Sequence, residues 1–307
     1  MAGGGAIPVS VIVMTRNEAD NIAACLAGLG DFAQVFVVDS ASTDGTAELA
    51  AQIGAEVVPF RWDGRYPKKK QWCLDRLPFR HDWVLYVDAD ERVTPALAAE
   101  IAALIAAGPG HAGYFIESRM VFLGRRLRFG QRNCKLALID RRRGGFRDCP
   151  DLDVAAMWEV EGHYQPVLDG TAGRLKAWMW HEDTKPPFAW FERHNRYSDW
   201  EAALRRDGRL ARLARDESPG RRRLKGLVAR LPARPLLMFL HSYLFRLGLL
   251  DGAAGFHYAL ARAFYYWQID LKLYGLYASS KAGAADSPPS ALISSNARRR
   301  TPCSPIR

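Results

Sequence analysis

A short acidic motif follows an apolar segment in the first third of the chain. Trp83–Val87 is followed by Asp-Ala-Asp-Glu at positions 88–91. Where a strand ends and the chain turns, carboxylates two positions apart can reach one hard cation that also binds phosphate oxygens. We therefore expect Asp88 and Asp90 to bind Mg²⁺ or Mn²⁺, which would neutralise a departing diphosphate. The alternative is a solvated loop with an acid that caps the helix at Pro95.

Polar side chains also follow two earlier apolar segments. Thr15, Asn17 and Glu18 come after the first and can hydrogen-bond a nucleotide, although helix capping also explains Asn17. Asp39 ends the second, where a carboxylate is costly unless a partner uses it, and a base N–H is one such partner. The same polar segment runs on to Asp44. Neither a Gly-x-Gly-x-x-Gly motif nor a Walker lysine follows the first segment, which disfavours dinucleotide enzymes and P-loop NTPases.

The elements that must position these residues alternate in type along the first hundred residues. The sequence predicts strands at Val9–Met14, Val35–Asp39, Ala55–Pro59 and Trp83–Asp88, and helices at Glu18–Leu29, Thr43–Ile53, Lys68–Leu77 and from Pro95 onward. This alternation predicts an α/β fold with a doubly wound, mostly parallel sheet. Ligands bind such sheets beyond the carboxyl ends of the strands, so the three polar segments should meet in one crevice.

Composition limits the class of protein. The chain has 307 residues, of which 49% are apolar, enough for one catalytic domain and an extension. Its five cysteines include no Cys-x-x-Cys pair, which argues against a disulfide scaffold or zinc ribbon and favours a reducing compartment. The N-terminus does not resemble a signal peptide, and no apolar stretch reaches the roughly 18–20 residues of a membrane-spanning helix.

The C-terminal part is basic and aromatic. Arginines are dense between Arg205 and Arg234, and aromatic-rich helices are predicted from there to about Tyr277. We expect a catalytic domain at 1–200, a helical extension at 201–278 and a disordered tail at 279–307. The extension is predicted to lie on an anionic membrane surface, with a helical hairpin packed on the catalytic domain as the alternative. Nucleic-acid binding would leave the acidic crevice unexplained, so no nucleic-acid partner is expected.

These motifs together resemble glycosyltransferase family 2, and most closely its branch of lipopolysaccharide core β-glucosyltransferases. The segments that carry the resemblance are Thr15–Glu18, Val38–Asp44, Lys70, Trp83–Glu91, Phe122–Arg125, Asn195–Ser198 and Arg246–Gly252. The resemblance implies a GT-A fold and a nucleotide-sugar donor, most simply a UDP-sugar.

The resemblance also implies roles for individual residues. Asp39 would hold the base, with Thr15 and Glu18 lining the nucleotide pocket. Asp88 would lie near the ribose and the metal, Asp90 would ligate the metal, and Lys70 would approach the diphosphate or the base.

The general base is harder to place, because the related branch carries a His-Glu pair after its Asp-Ala-Asp motif. Here the matching segment is Glu-Val-Glu-Gly-His-Tyr at 159–164, with Tyr164 at the glutamate position. We expect Glu161 to be the base, Glu159 to be the second candidate and His163 to support it. His181 is expected to be a core or supporting residue.

The predicted function is inverting transfer of a monosaccharide to a lipid-linked or cell-envelope glycan acceptor. The predicted location is the inner face of the cytoplasmic membrane, to which the protein would bind peripherally. The alternative enzyme is a polyprenyl-phosphate sugar synthase, whose phosphate acceptor needs no strong base.

Overall fold

The computed structural model describes residues 6–130, 132–148, 151–152, 154, 159–161, 165–209, 223 and 233–285. The predicted role of His163 lies outside these residues, as does half of the arginine cluster, including Arg221 and Arg222. So does most of the predicted tail, although its first residues, up to Ala285, belong to the last helix.

Over the first hundred positions, the described residues form the predicted strands and helices in the predicted order, with one additional short strand at Glu91–Val93. The strands are β1 (Ile7–Thr15), β2 (Phe32–Asp39), β3 (Glu56–Pro59), β4 (Trp83–Asp88), β5 (Glu91–Val93), β6 (Gly113–Phe122), β7 (Arg125–Arg126), β8 (Asn133–Asp140), β9 (Gly144–Gly145), β10 (Val167–Leu168) and β11 (Ala172–Glu182). The helices are α1 (Ala19–Ala27), α2 (Thr46–Gln52), α3 (Lys69–Arg76), α4 (Pro95–Ala107), α5 (Pro187–Arg206), α6 (Arg234–Leu240) and α7 (Gly252–Ala285). A π-helical turn (His241–Phe245) and a 3₁₀ turn (Gly248–Asp251) connect α6 to α7.

Within the described part of the chain, nine strands form one mixed sheet in the order β3-β2-β1-β4-β8-β6-β11-β5, with β7 beside β6. The first four are parallel, as predicted. Beyond β4 the sheet departs from the mostly parallel prediction, because β8 is antiparallel to both β4 and β6, and β5 is antiparallel to β11. No described helix connects β6 to β8, and antiparallel neighbours need no helical crossover.

Both faces of the parallel strands are covered, which explains their continuous apolar sequences. Val11 and Val13 of β1 pack in one buried cluster, whereas Ile12 and Met14 pack in a second cluster on the other face. A central strand that is covered on both faces has no solvent-facing positions, so apolar and polar residues do not alternate along its sequence.

The helix α4 begins as the sequence predicts. Pro95 occupies its first turn, and the Thr94 hydroxyl accepts a hydrogen bond from the Leu97 amide at 3.2 Å. Proline suits this position because it has no amide hydrogen to leave unsatisfied.

The C-terminal helices pack on the rest of the protein. Tyr258 of α7 lies in a buried cluster with Met120 of β6, and the Tyr265 hydroxyl donates to Glu201 of α5 at 2.8 Å. The predicted boundary at residue 200 therefore falls inside α5, which continues to Arg206. This packing is the helical arrangement that the sequence offered as the alternative to a membrane-bound extension.

Candidate active site

A cavity of about 800 Å³ opens at the carboxyl ends of β1 and β4. The parallel strands supply one wall, β8 and β11 the next, and α5 and α7 close the far end. Of the residues predicted from the sequence, six line this cavity: Thr15, Glu18, Lys70, Asp88, Asp90 and Glu159.

The acidic motif lies where β4 passes into β5. Because β5 pairs with β11, His181 lies opposite Glu91 in the sheet register. The His181 Nε2 atom is 3.3 Å from Oδ2 of Asp90, and the Glu182 amide donates to the Asp90 carbonyl at 2.7 Å. His181 therefore lies in the site and not in the core, and its contact with Asp90 agrees with the supporting role, the second of the two roles expected for it.

The other two acids of the motif share a lysine. The Lys135 ammonium on β8 is 2.9 Å from Oδ2 of Asp88 and also pairs with Glu91. Glu91 is buried and accepts a hydrogen bond from the Asp88 amide at 2.9 Å. Lys135 thus offsets part of the negative charge of these two carboxylates, and Asp90 lies beside His181.

The residues around Asp90 fit a divalent cation that takes most of its ligands from substrate. The described residues contain no group of three or more His, Cys, Asp or Glu side chains arranged to hold a metal. Mg²⁺ sites commonly use one or two carboxylates and complete the shell with water and phosphate oxygens. The Asp90 carboxylate is a ligand of that kind, and the His181 imidazole beside it is a nitrogen donor, which transition metals accept more readily than Mg²⁺ does.

Asp39 is held in a fixed orientation at the end of β2, beside Thr15, and its side chain does not line the cavity. Its carboxylate is buried and accepts hydrogen bonds from the Thr15 hydroxyl and from the Ser42 amide, each at 2.8 Å. Thr15 therefore acts on Asp39 as well as lining the cavity.

Two residues predicted to bind the nucleotide instead connect the loops that follow β1 and β2. The Asn17 amide oxygen accepts from the Thr43 amide at 2.9 Å, and the Asp44 carboxylate accepts from the Ala19 amide at 3.0 Å. Neither side chain lines the cavity. They fix the two loops against each other, and so position Asp39 and Glu18.

Glu18 faces the cavity beside a lysine from the end of β11. Its carboxylate pairs with Lys185 and accepts from the Asn21 side chain at 2.9 Å. Burial raises the pKa of Glu18, while the hydrogen bond from Lys185 opposes that rise.

The predicted base, Glu161, caps a helix. Its two carboxylate oxygens accept from the amides of Lys70 and Gln71 at 2.7 and 3.0 Å, at the start of α3. The side chain is fully buried, and burial raises its pKa. These contacts satisfy amides that a helix N-terminus leaves without partners, so the carboxylate is placed to hold α3 and does not line the cavity.

Glu159 lines the cavity, but at its nucleotide end. Its carboxylate is hydrogen-bonded by the Ser40 hydroxyl and is 3.7 Å from the ammonium of Lys69. Lys69 is buried, and its ammonium donates to Ser40 at 2.6 Å and to the Thr15 carbonyl at 3.0 Å. Burial lowers the pKa of Lys69, opposed by the charge of Glu159. The sequence singles out Lys70, and Lys69 is a second lysine of the site that it missed.

The first half of the chain matches a known protein family. Residues 10–151 match the model for glycosyl transferase family 2. Over these residues the chain is similar to the family 2 glycosyltransferase domain. The predicted GT-A type of α/β fold is therefore supported, with the mixed sheet described above.

Relatives of the family 2 domain align over part of their length. A lipopolysaccharide core biosynthesis glycosyltransferase of Rhizobium meliloti is 32% identical over 123 residues, which are 38% of this chain and 44% of the relative. An uncharacterized glycosyltransferase of Rickettsia felis is 36% identical over 97 residues, 30% of this chain and 32% of the relative. The chain thus spans less than half the length of these curated relatives.

Solved structures show a weaker likeness. Glucosyl-3-phosphoglycerate synthase from Mycobacterium tuberculosis, crystallised with Mn²⁺, UDP and glucosyl-3-phosphoglycerate, is 23% identical. The match has a TM-score of 0.29 and covers 37% of this chain and 44% of that one.

The family 2 domain does not build the cavity alone. His181, Lys185 and the inner faces of α5 and α7 all lie after residue 151, yet they line the same space as Asp88 and Asp90. The C-terminal half of the chain therefore completes the site that the domain begins.

Proposed function

We propose that this chain transfers a monosaccharide from a nucleoside diphosphate sugar, with inversion, to a lipid-linked or cell-envelope glycan acceptor. The observation that carries the proposal is the 3.3 Å contact between Asp90, which follows β4 in the family 2 match, and His181 of β11. The relative from Rhizobium meliloti supports an envelope glycan as the product. We take the donor to be a UDP-sugar.

In this proposal the two ends of the cavity bind different substrates. Asp39, oriented by Thr15, accepts a hydrogen bond from the base, and Lys70 faces the diphosphate. Asp90 and His181 hold Mg²⁺ or Mn²⁺, which offsets the negative charge that develops on the leaving nucleoside diphosphate. The family 2 domain therefore binds the donor, and the acceptor must approach from the side of α5 and α7.

A phosphate acceptor, as in polyprenyl-phosphate sugar synthases, is the second candidate. Glu161 holds α3 and Glu159 contacts Ser40 at the nucleotide end, so neither is placed beside the incoming acceptor. A hydroxyl acceptor needs a base within hydrogen-bond reach of its proton, whereas a phosphate oxygen is already ionised. The positions of these two glutamates favour this candidate.

The surface of the C-terminal helices supports a location at the inner face of the cytoplasmic membrane. Large apolar side chains are exposed there, among them Phe245, Leu236, Leu250, Trp267 and Leu271. By length and composition, no single described helix could cross a membrane, and one pair could only with a 71° bend between its halves. Helices that carry an exposed apolar face and basic neighbours lie in the membrane interface.

The test is release of nucleoside diphosphate from UDP-, GDP- and dTDP-sugars, with and without Mn²⁺ and membrane lipid extract. Asp90→Asn should lower the metal-dependent rate about 100-fold or more, since the metal supplies several kcal/mol of charge stabilisation. Asp31→Asn, which changes an exposed aspartate outside the cavity, is the matched control and should leave the rate unchanged.

Equal rates for wild type and Asp90→Asn would contradict the proposed role of the Asp90–His181 pair. Absence of both turnover and UDP binding in the wild type, under every condition, would refute the transferase proposal itself.

A further inference from the structure

The far end of the cavity is formed by two helices that the family match does not cover. Trp190, His194 and Tyr197 of α5 face Tyr258, Arg262 and Tyr265 of α7 across this space. Positions 258, 262 and 265 are spaced by four and three residues, which places them on one face of α7. This face is turned into the cavity, opposite the donor end.

Arg262 has no anionic partner at this end. Its guanidinium is partly buried and donates to the Tyr258 hydroxyl at 3.4 Å. Among the described residues, no carboxylate forms an ion pair with it. The same holds for Arg16, Lys70 and Arg196 of this cavity, whereas Lys135, Lys185 and Arg193 are each paired. A partly buried cation without a counter-charge is costly, and a bound anion would remove that cost.

The surrounding side chains are rigid and aromatic. The Trp190 and His194 rings are stacked with centroids 3.6 Å apart, and the Tyr265 hydroxyl donates to Glu201 at 2.8 Å. Pockets of this kind bind ligands through aromatic faces, with a few polar groups that set the orientation. The end of the cavity thus offers a flat apolar surface next to one guanidinium.

We propose that α5 and α7 form the acceptor subsite and that Arg262 binds a phosphate group on the acceptor. The inference rests on the proposed glycosyl transfer and names the chemistry of its second substrate. Arginine suits this task because its planar fork binds two phosphate oxygens at once. The phosphate belongs either to a phosphorylated saccharide or to a polyprenyl phosphate carrier.

Binding of defined probes separates these sources. Glucose 6-phosphate is compared with glucose, and farnesyl phosphate with farnesol, by titration calorimetry on the full chain. Wild type should bind at least one phosphorylated probe tenfold or more tightly than its neutral counterpart. Arg262→Gln should lose that preference, and Arg262→Lys should keep part of it because it retains the charge.

Two controls make the result specific. Arg76→Gln changes an exposed arginine at the end of α3, outside the cavity, and should bind all probes like wild type. The affinity of Arg262→Gln for UDP with Mn²⁺ should stay within twofold of wild type, since donor binding does not involve α7 in this scheme.

A wild type that binds UDP but shows no preference for either phosphorylated probe would overturn the inference and leave the proposed function standing. The same holds for a preference that survives in Arg262→Gln. A selective loss of UDP binding in Arg262→Gln would also overturn it, by assigning the arginine to the donor. Arg262-dependent phosphate binding without any UDP binding would instead refute the proposed function and leave an anion site.

Discussion

Glu161 and Glu159 lie two positions apart, yet their carboxylates face different surroundings. Glu161 is fully buried against the first amides of α3, whereas Glu159 lines the cavity beside Ser40. The sequence ranks Glu161 ahead of Glu159 as the base, but it does not show that their surroundings differ. The distinction arises from α3, because a helix start must find partners for its free amides, and here a distant segment supplies them.

Replacing the buried carboxylate of this pair should therefore affect folding. Glu161→Gln directs an amide NH₂ group at a backbone N–H, and we expect a loss of about 1–3 kcal/mol in the free energy of unfolding. Urea denaturation measures it, with the exposed Glu48→Gln as the control. An unchanged unfolding curve, together with a large fall in turnover, would show that Glu161 is the base after all.

Asp140 provides a test of pH dependence away from the cavity. Hydrogen bonds from Arg142, at 2.8 and 2.9 Å, lower the pKa of its carboxyl group below the ordinary value of 3.8. A lowered pKa means that the folded state prefers the ionised form. The resulting stabilisation is complete above the unfolded pKa and is lost as the pH falls through the folded one.

Asp140→Asn should accordingly be less stable than wild type at neutral pH, and the difference should shrink as the pH falls below about 4. Urea unfolding between pH 3 and pH 7 measures the difference, with the exposed Asp31→Asn for comparison. A gap that widens in acid would show that Arg142 does not stabilise the ionised carboxylate.

The sequence indicates some site residues better than others for a physical reason. Asp39 and Asp88 stand out because a carboxylate directly after a continuous apolar run is conspicuous. His181 has no such local signal. It reaches Asp90 only because β5 pairs with β11, and that pairing joins segments far apart in the chain.

Secondary-structure elements also differ in how well the sequence predicts them. The parallel strands β1, β2 and β4 are covered on both faces, so each is a continuous apolar run that the sequence reveals. In the part of the chain that the structure describes, the strands from Gly113 to Glu182 are joined without helices, and β6 and β8 are antiparallel. Their register depends on long-range pairing, which periodicity does not encode, and the sequence predicts only short strands and turns there.

A buried ion pair connects the start of α3 to α5. The Lys68 ammonium is 2.7 Å from Asp151, both side chains are 1% exposed, and the Trp200 indole donates to the same carboxylate at 3.0 Å. Asp151→Ala would leave a buried cation without its partner, and we expect it to cost about 3–5 kcal/mol of unfolding free energy.

The double variant Lys68→Met with Asp151→Leu removes both charges and should recover part of this loss, because apolar pairs of similar size often replace buried ion pairs without cost. The recovery should be incomplete, since the Trp200 indole and the Tyr66 hydroxyl lose the acceptor that Asp151 provides. Urea unfolding of the single and double variants measures the recovery. A double variant as unstable as Asp151→Ala would show that packing, and not the unpaired charge, causes the loss.

At the scale of the whole molecule, the exposed apolar side chains of the C-terminal helices predict membrane binding. Phe245 is 80% and Leu250 57% exposed. Replacing both by aspartate should weaken binding to vesicles that contain phosphatidylglycerol at least tenfold, because burying each apolar side chain contributes about 1.5–3 kcal/mol. Vesicle co-sedimentation measures the change.

Ile53→Asp is the matched control, since Ile53 is 49% exposed but follows α2 at the other end of the sheet. Its binding to vesicles should equal that of wild type. Equal binding of the Phe245/Leu250 variant and wild type to the vesicles would show that these two side chains do not contribute to membrane binding.

Two faces of the helix α7 have different surroundings. Arg262 and Tyr265 point into the cavity, while Leu260, Trp267 and Leu271 are exposed. An α-helix with its side chains is about 10–12 Å across. If the exposed face rests on the bilayer, the helix acts as a spacer of that thickness. A phosphate reaching Arg262 must then rise about one helix diameter above the membrane surface, so α7 would select acceptors by the height of their charged group as well as by its chemistry.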